Sequence, residues 1–154
     1  MLKDILKARV YEVAKRTPLE LAPSLSHELG HRIHLKREDL QPIFSFKIRG
    51  AYNRIAALSP AERERGVICA SAGNHGQGVA LSAQRLGIPA WVVMPTTTPD
   101  IKVQAVARFG AKIVLAGDHY SQAYERSLQL VETTGATMIH PFDDPLVIAG
   151  QGTI

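Results

Sequence analysis

From residue 66 onward, short apolar runs alternate with stretches of helical spacing. Val67-Ile68-Cys69-Ala70, Ala90-Trp91-Val92-Val93-Met94, Lys112-Ile113-Val114-Leu115 and Thr137-Met138-Ile139-His140 are bounded by glycine or proline, a pattern that predicts buried strands. Between them, the spacing predicts helices over Gly76–Leu86, Asp100–Phe109 and His119–Thr133. The last places Tyr120, Ala123, Tyr124, Leu128 and Val131 along one face. Gly87, Gly110 and Gly135 each follow a helix, where a left-handed residue closes the last turn. Strand and helix alternating in this way predict right-handed crossovers and an α/β fold, a parallel sheet flanked by helices.

The first part of the chain is patterned differently. Met1–Arg16 reads as an amphipathic helix, and Arg32–Lys36 as a strand followed by a loop through Glu38–Pro42. A helix is expected from about Phe46 to Leu58 with Ser45 as its cap. Ser59-Pro60-Ala61-Glu62 has the form of a capping box with proline at the first helical position. Gly150–Ile154 looks like the start of another helix, so the chain is expected to be a partial one.

Composition narrows the function classes. With 45% hydrophobic and 21% charged residues over 154 positions, the chain has enough apolar material for one core without metal or disulfide support. The single cysteine excludes an internal disulfide and points to a reducing, cytoplasmic compartment. No apolar run reaches the roughly 20 residues of a membrane span, and the N-terminus lacks the apolar core of a signal peptide. The net charge of +4 is scattered among acidic residues rather than gathered into a basic stripe. That argues against nucleic acid and for small anions as ligands.

Two segments carry candidate chemistry. In Ser45-Phe46-Lys47, a lysine stands at a helix start beside an aromatic ring. The helix dipole and desolvation both disfavour the ammonium form there, freeing the amine to attack a carbonyl. A surface lysine on an amphipathic helix is the plainer alternative. In Ser71-Ala72-Gly73-Asn74-His75-Gly76-Gln77-Gly78, a glycine-rich turn links a strand to a helix. Such a turn points backbone N–H groups at a carboxylate or phosphate, and the helix N-terminus adds favourable potential. Its glycines do not fit the dinucleotide or P-loop spacing. A plain strand-to-helix turn is the alternative.

Together these segments resemble the tryptophan-synthase β-type family of pyridoxal-phosphate (PLP) enzymes, on its threonine dehydratase and serine racemase branch. The resemblance is carried by Lys36–Pro42, Ser45–Lys47, Arg49–Ala51, Ser71–Gly78 and Pro141–Thr153, with Val93–Pro95 and Lys102–Gly110 between them. Ile48 stands where the cysteine and threonine synthases of the family carry aspartate, which favours this branch. The resemblance implies PLP fold type II, with the chain forming the N-terminal portion of the catalytic domain and its smaller lobe over about residues 45–150. It implies Lys47 as the lysine that bears PLP, Phe46 against the cofactor ring and Asn74 on its phenolic oxygen. Ser71, Ala72, Gly73, Asn74 and His75 would grip the substrate carboxylate through backbone N–H groups and side chains.

The implied activity is deamination of threonine, with serine as a second substrate, in a complete enzyme that is a homo-oligomer. Ala72 occupies the place of the racemases' second serine, which favours elimination over racemisation. The family's phosphate-binding glycine loop has no counterpart in the chain. A catalytically inactive, fold-retaining fragment or binding module is therefore the alternative.

His27-Glu28-Leu29-Gly30-His31 matches the zinc-protease pattern H-E-x-x-H. Gly30 is expected to end the helix, taking His31 off its face, and the extended form of the motif fails at His34 and Arg37. No metal is expected. Cys69 and Trp91 read as strand core, His140 as a strand end, and Asp143 and Asp144 as a turn and a helix cap.

Overall fold

A computed structural model describes residues 1–154. The first segment is less helical than its pattern predicts. Helix α1 covers only Leu2–Lys7, and Val10–Glu12 forms one 3-10 turn. A six-residue helix with no buried residue and no side-chain cap gains little from its own hydrogen bonds. Tertiary bonds replace them: the Arg9 N–H donates to Asn53 Oδ1 at 3.0 Å, and the Tyr52 hydroxyl donates to Glu12 Oε2 at 2.7 Å.

Strand β1 (Leu19–Leu21) pairs antiparallel with β2 (His34–Lys36), a shorter strand than the Arg32–Lys36 expected. Between them α2 (Pro23–Leu29) ends on left-handed Gly30, φ 66°, so His31 does leave the helical face. No group of three or more His, Cys, Asp or Glu residues is placed to hold a metal ion. No helix is long and apolar enough to cross a membrane.

Helix α3 covers Lys47–Ala56, and α4 covers Pro60–Arg65 behind the full Ser59–Glu62 capping box. Arg49, on α3, is wholly buried and grips Glu38 with two hydrogen bonds of 2.7 and 2.8 Å. Thr17 and Gln41 also donate to that carboxylate, and Arg49 Nη1 reaches Thr153 at 3.1 Å. One buried ion pair thus ties the N-terminal segment to the turn of α3 that begins with Lys47.

The four remaining strands form as the apolar runs predict: β3 (Val67–Ala70), β4 (Ala90–Met94), β5 (Lys112–Leu115) and β6 (Thr137–Met138), the last two residues shorter than expected. They make one parallel sheet in the order β5-β4-β3-β6. Helices α5 (Asn74–Leu86) and α6 (Asp100–Ala107) cover one face, meeting Val67, Cys69, Val92 and Met94. Helix α7 (Tyr120–Thr134) covers the other, meeting Ile68 and Val93. Covered on both faces, β3 is buried at every position, as a central parallel strand should be.

The buried stripe of α7 is rotated from the predicted one. Ala123 and Ser127 face the sheet, while Tyr120 and Leu128 stay about half exposed. Ser127 can be buried because its hydroxyl donates to Tyr124 O at 2.6 Å.

Helix α8 (Pro145–Gln151) corrects the reading of the last residues, since Gly150 lies near its end rather than its start. Asp144 is its cap, accepting from the N–H groups of Leu146 and Val147.

Candidate active site at the switch point of the sheet

From β3 the chain winds outward through β4 to β5, then crosses back to place β6 on the other side of β3. The winding direction therefore reverses between β3 and β6. In open α/β sheets, ligands bind beyond the carboxyl ends of the strands at such a point. The residues that leave β3 there are Ser71–Gly73, and those beyond β6 are Ile139–Pro141.

The turn after β3 is tightly curled. A methyl group on Gly76 would lie 2.9 Å from Ser71 O, and the Gly73 N–H donates to Ser71 Oγ at 3.2 Å. Helix α5 begins at Asn74, two residues before the predicted start, and its first bond runs from Gln77 N to Gly73 O. The N–H groups of Asn74, His75 and Gly76 accordingly have no partner within the helix and are available to an anion. Asn74 is exposed, while Ser71, Ala72 and Gly73 are half-buried.

Lys47 arrives from the other direction. It is the first residue of α3, and its backbone oxygen lies 3.2 Å from where a methyl on Gly78 would sit. Absence of a side chain at Gly78 therefore lets α3 press against the first turns of α5. The Lys47 Nζ donates to Pro141 O at 2.9 Å and stands 5.4 Å from the centre of the Phe46 ring, which is 38% exposed. Burial lowers the amine's pKa from its ordinary value, the direction a nucleophilic lysine needs.

Ser45 does not cap α3 in the predicted manner. Phe46 holds the cap position, and the Ser45 hydroxyl accepts only from Lys47 N at 3.3 Å. Just ahead, Phe44 is the single non-glycine residue with positive φ, 56°, and it remains exposed. Backbone in that region is held only where its surroundings demand it, here three residues before the lysine.

The His75 side chain is turned inward, away from the open side of the turn. Its ring is buried, with Nε2 2.9 Å from Ile139 O and Nδ1 enclosed without a partner. Burial pushes its pKa down to about 4, opposed by the Ile139 contact and reinforced by the Lys47 charge. The ring is therefore neutral at pH 7 and engaged inside the fold. An anion at this turn would meet the main chain of His75, not its side chain.

Lys47 and the Ser71–His75 turn thus converge on the segment Ile139–Pro141, whose carbonyls the sequence reading did not single out. Backbone acceptors leave no mark in residue type. The usable signal was their position just past the strand at the reversal of winding. The surface cavities of the molecule are lined by other residues; here Lys47, Ser71–Gly73, His140 and Pro141 are half-buried and Asn74 is exposed. Cys69 is enclosed in β3 with its thiol pushed up to about 12, which excludes it as a nucleophile.

Residues 10–154 match the family described as pyridoxal-phosphate dependent enzyme. The chain belongs to this family. Among PLP-family relatives, it is 60% identical to threonine dehydratase 1 (biosynthetic, chloroplastic) of Solanum lycopersicum, over 99% of this chain and 25% of that protein. It is 53% identical to L-threonine ammonia-lyase of Thermotoga maritima, over 99% of this chain and 39% of that protein. The processed form of threonine deaminase isoform 2 from Solanum lycopersicum superposes with a TM-score of 0.94 at 55% identity, covering 99% of this chain and 42% of that one. Maize serine racemase superposes equally well, TM-score 0.94, at 37% identity, over 98% and 46% of the two chains. The chain therefore spans less than half the length of these relatives. Its α/β architecture is that of PLP fold type II, and the family's cofactor is pyridoxal phosphate. The residues present fit that group: a half-buried amine of lowered pKa beside an aromatic face, opposite a curled turn with free N–H groups.

Proposed function

We propose that the chain carries the lysine and the carboxylate-gripping turn of a threonine ammonia-lyase. The reaction converts L-threonine to 2-oxobutyrate and ammonia, and L-serine to pyruvate and ammonia. The observation that carries this reading is the convergence of the Lys47 amine and the Ser71–His75 turn at the switch point of the sheet. Lys47 would hold PLP through Nζ, with Phe46 beside the ring and the Asn74 side chain on its phenolic oxygen. When bound, PLP supplies a conjugated sink for the negative charge left at a substrate α-carbon. The chain's own residues do the rest. The N–H groups of Asn74, His75 and Gly76 hold the carboxylate, and the freed Lys47 Nζ removes the α-proton. Ala72 offers no hydroxyl on the opposite face, which supports elimination over racemisation.

Residues of about 45–150 are the smaller lobe of the catalytic domain in this reading. The complete enzyme is a cytoplasmic homo-oligomer acting on small amino acids. A second reading, a fold-retaining segment that binds without turnover, draws on the partial span of the relatives. Borohydride reduction in the presence of PLP, followed by peptide mass analysis, separates the two together with a threonine assay. The expected outcome is covalent label on Lys47, lost in Lys47→Ala, and 2-oxobutyrate when the rest of the catalytic domain is supplied. Label on Lys47 without turnover even then would favour the second reading. Label spread over surface lysines would overturn both.

A further inference from the structure

The His75 ring joins both halves of the site from inside the fold. Its ring is 4% exposed, and its Nε2 lies 2.9 Å from Ile139 O. A carbonyl only accepts, so Nε2 carries the hydrogen and Nδ1 is left as a bare, enclosed lone pair. Ile139 is held on both sides, because its N–H donates to Ile68 O at 2.8 Å in the neighbouring strand. Two residues further on, the Pro141 carbonyl receives the Lys47 amine at 2.9 Å. His140 locks the next turn, its Nδ1 accepting from Asp143 N at 2.7 Å and Phe142 N at 3.3 Å.

We propose that His75 is a positioning residue that fixes, through Ile139, the Pro141 carbonyl that orients the Lys47 amine against the Ser71–His75 turn. An apolar side chain of the same size would fill the same space. A donor at the place of Nε2 adds to the Ile68 bond a second hold on the segment that carries the amine's partner. The proposal rests on Lys47 being the reacting amine. It adds that one imidazole links the turn to the segment that receives the lysine's amine.

The test uses limiting acetic anhydride on the folded 154-residue chain, with the acylation rate of Lys47 read by mass spectrometry against that of exposed Lys102. His75→Phe keeps a ring and removes the donor. Without a fixed acceptor the amine loses its placement, and the relative rate of Lys47 at pH 7 is expected to fall several-fold. His75→Gln, whose amide can donate to the same carbonyl, is expected to recover most of that rate while showing a similar melting temperature. An unchanged Lys47 rate in folded His75→Phe overturns the proposal, as does a loss in His75→Gln equal to that in His75→Phe. Should His75→Phe fail to fold, nitrogen NMR of the unaltered chain decides. The Nε2–H tautomer is expected around neutral pH, and the Nδ1–H tautomer overturns the proposal. Borohydride trapping of PLP is run alongside. Its failure in the unaltered chain, with the acylation response intact, removes the proposed function and leaves only the placement of the Lys47 amine by His75.

Discussion

At the scale of single residues, two buried ionisable groups make stability depend on pH in separate windows. The folded chain holds His75 neutral with its pKa pushed down to about 4, whereas an unfolded histidine takes up a proton below about 6.5. Its contribution is complete above about pH 6.5 and is lost as pH falls toward the folded value, a change on the order of 2–3 kcal/mol. Urea unfolding at pH 7 and pH 4.5 should show that loss, and His75→Gln should flatten it. Equal losses in the two proteins would assign the effect elsewhere.

Glu38 acts lower on the scale. Burial opposes its ionisation, but hydrogen bonds from Arg49, Thr17 and Gln41 prevail and lower its pKa from 4.5. Its contribution is present above that value and disappears as pH falls through the folded one. Glu38→Gln leaves the Arg49 charge buried and unpaired, which should cost about 3–5 kcal/mol at pH 7. A urea midpoint equal to that of the unaltered chain would refute this.

At the scale of elements, α3 and α8 cross so closely that each must present a glycine. A methyl on Gly150 would sit 2.6 Å from Arg49 O, and one on Gly50 would sit 2.7 Å from Val147 O. These contacts are to backbone, which cannot swing aside, so Gly150→Ala should destabilise by about 1–3 kcal/mol. A thermal melt checks this, and an unchanged midpoint would mean that the helices separate at little cost.

The crossing also shows what was legible in the chain. Strands β3, β4 and β5 were readable because each is an apolar run cut off by glycine or proline. Asp144 was readable as a cap, yet the helix was expected to start only near Gly150. Glycines there suggest an opening turn, while their actual use is close approach to a distant helix. The Met1–Arg16 pattern failed for a related reason. Its helical spacing is real, but the bonds from Arg9 to Asn53 and from Tyr52 to Glu12 come from residues far along the chain.

At the scale of the whole molecule, the candidate site joins the firmest strand to one of the slightest. Lys47 and the Ser71–His75 turn were legible because their residue types carry chemistry, whereas the carbonyls of Ile139 and Pro141 become visible only once β6 is laid beside β3. Strand β3 is buried throughout and paired on both sides, while β1 and β2 are exposed at nearly every position. Native-state hydrogen exchange should therefore rank the β3 amides slowest and those of β1 and β2 among the fastest.

Ile139 is the informative case. It follows a two-residue edge strand, yet it is fully buried, its N–H bonded to Ile68 O and its own carbonyl to His75. Its amide should exchange at the pace of β3. Exchange of Ile139 at the pace of β1 would show that β6 opens independently of the sheet, carrying away the Pro141 carbonyl on which the Lys47 amine rests.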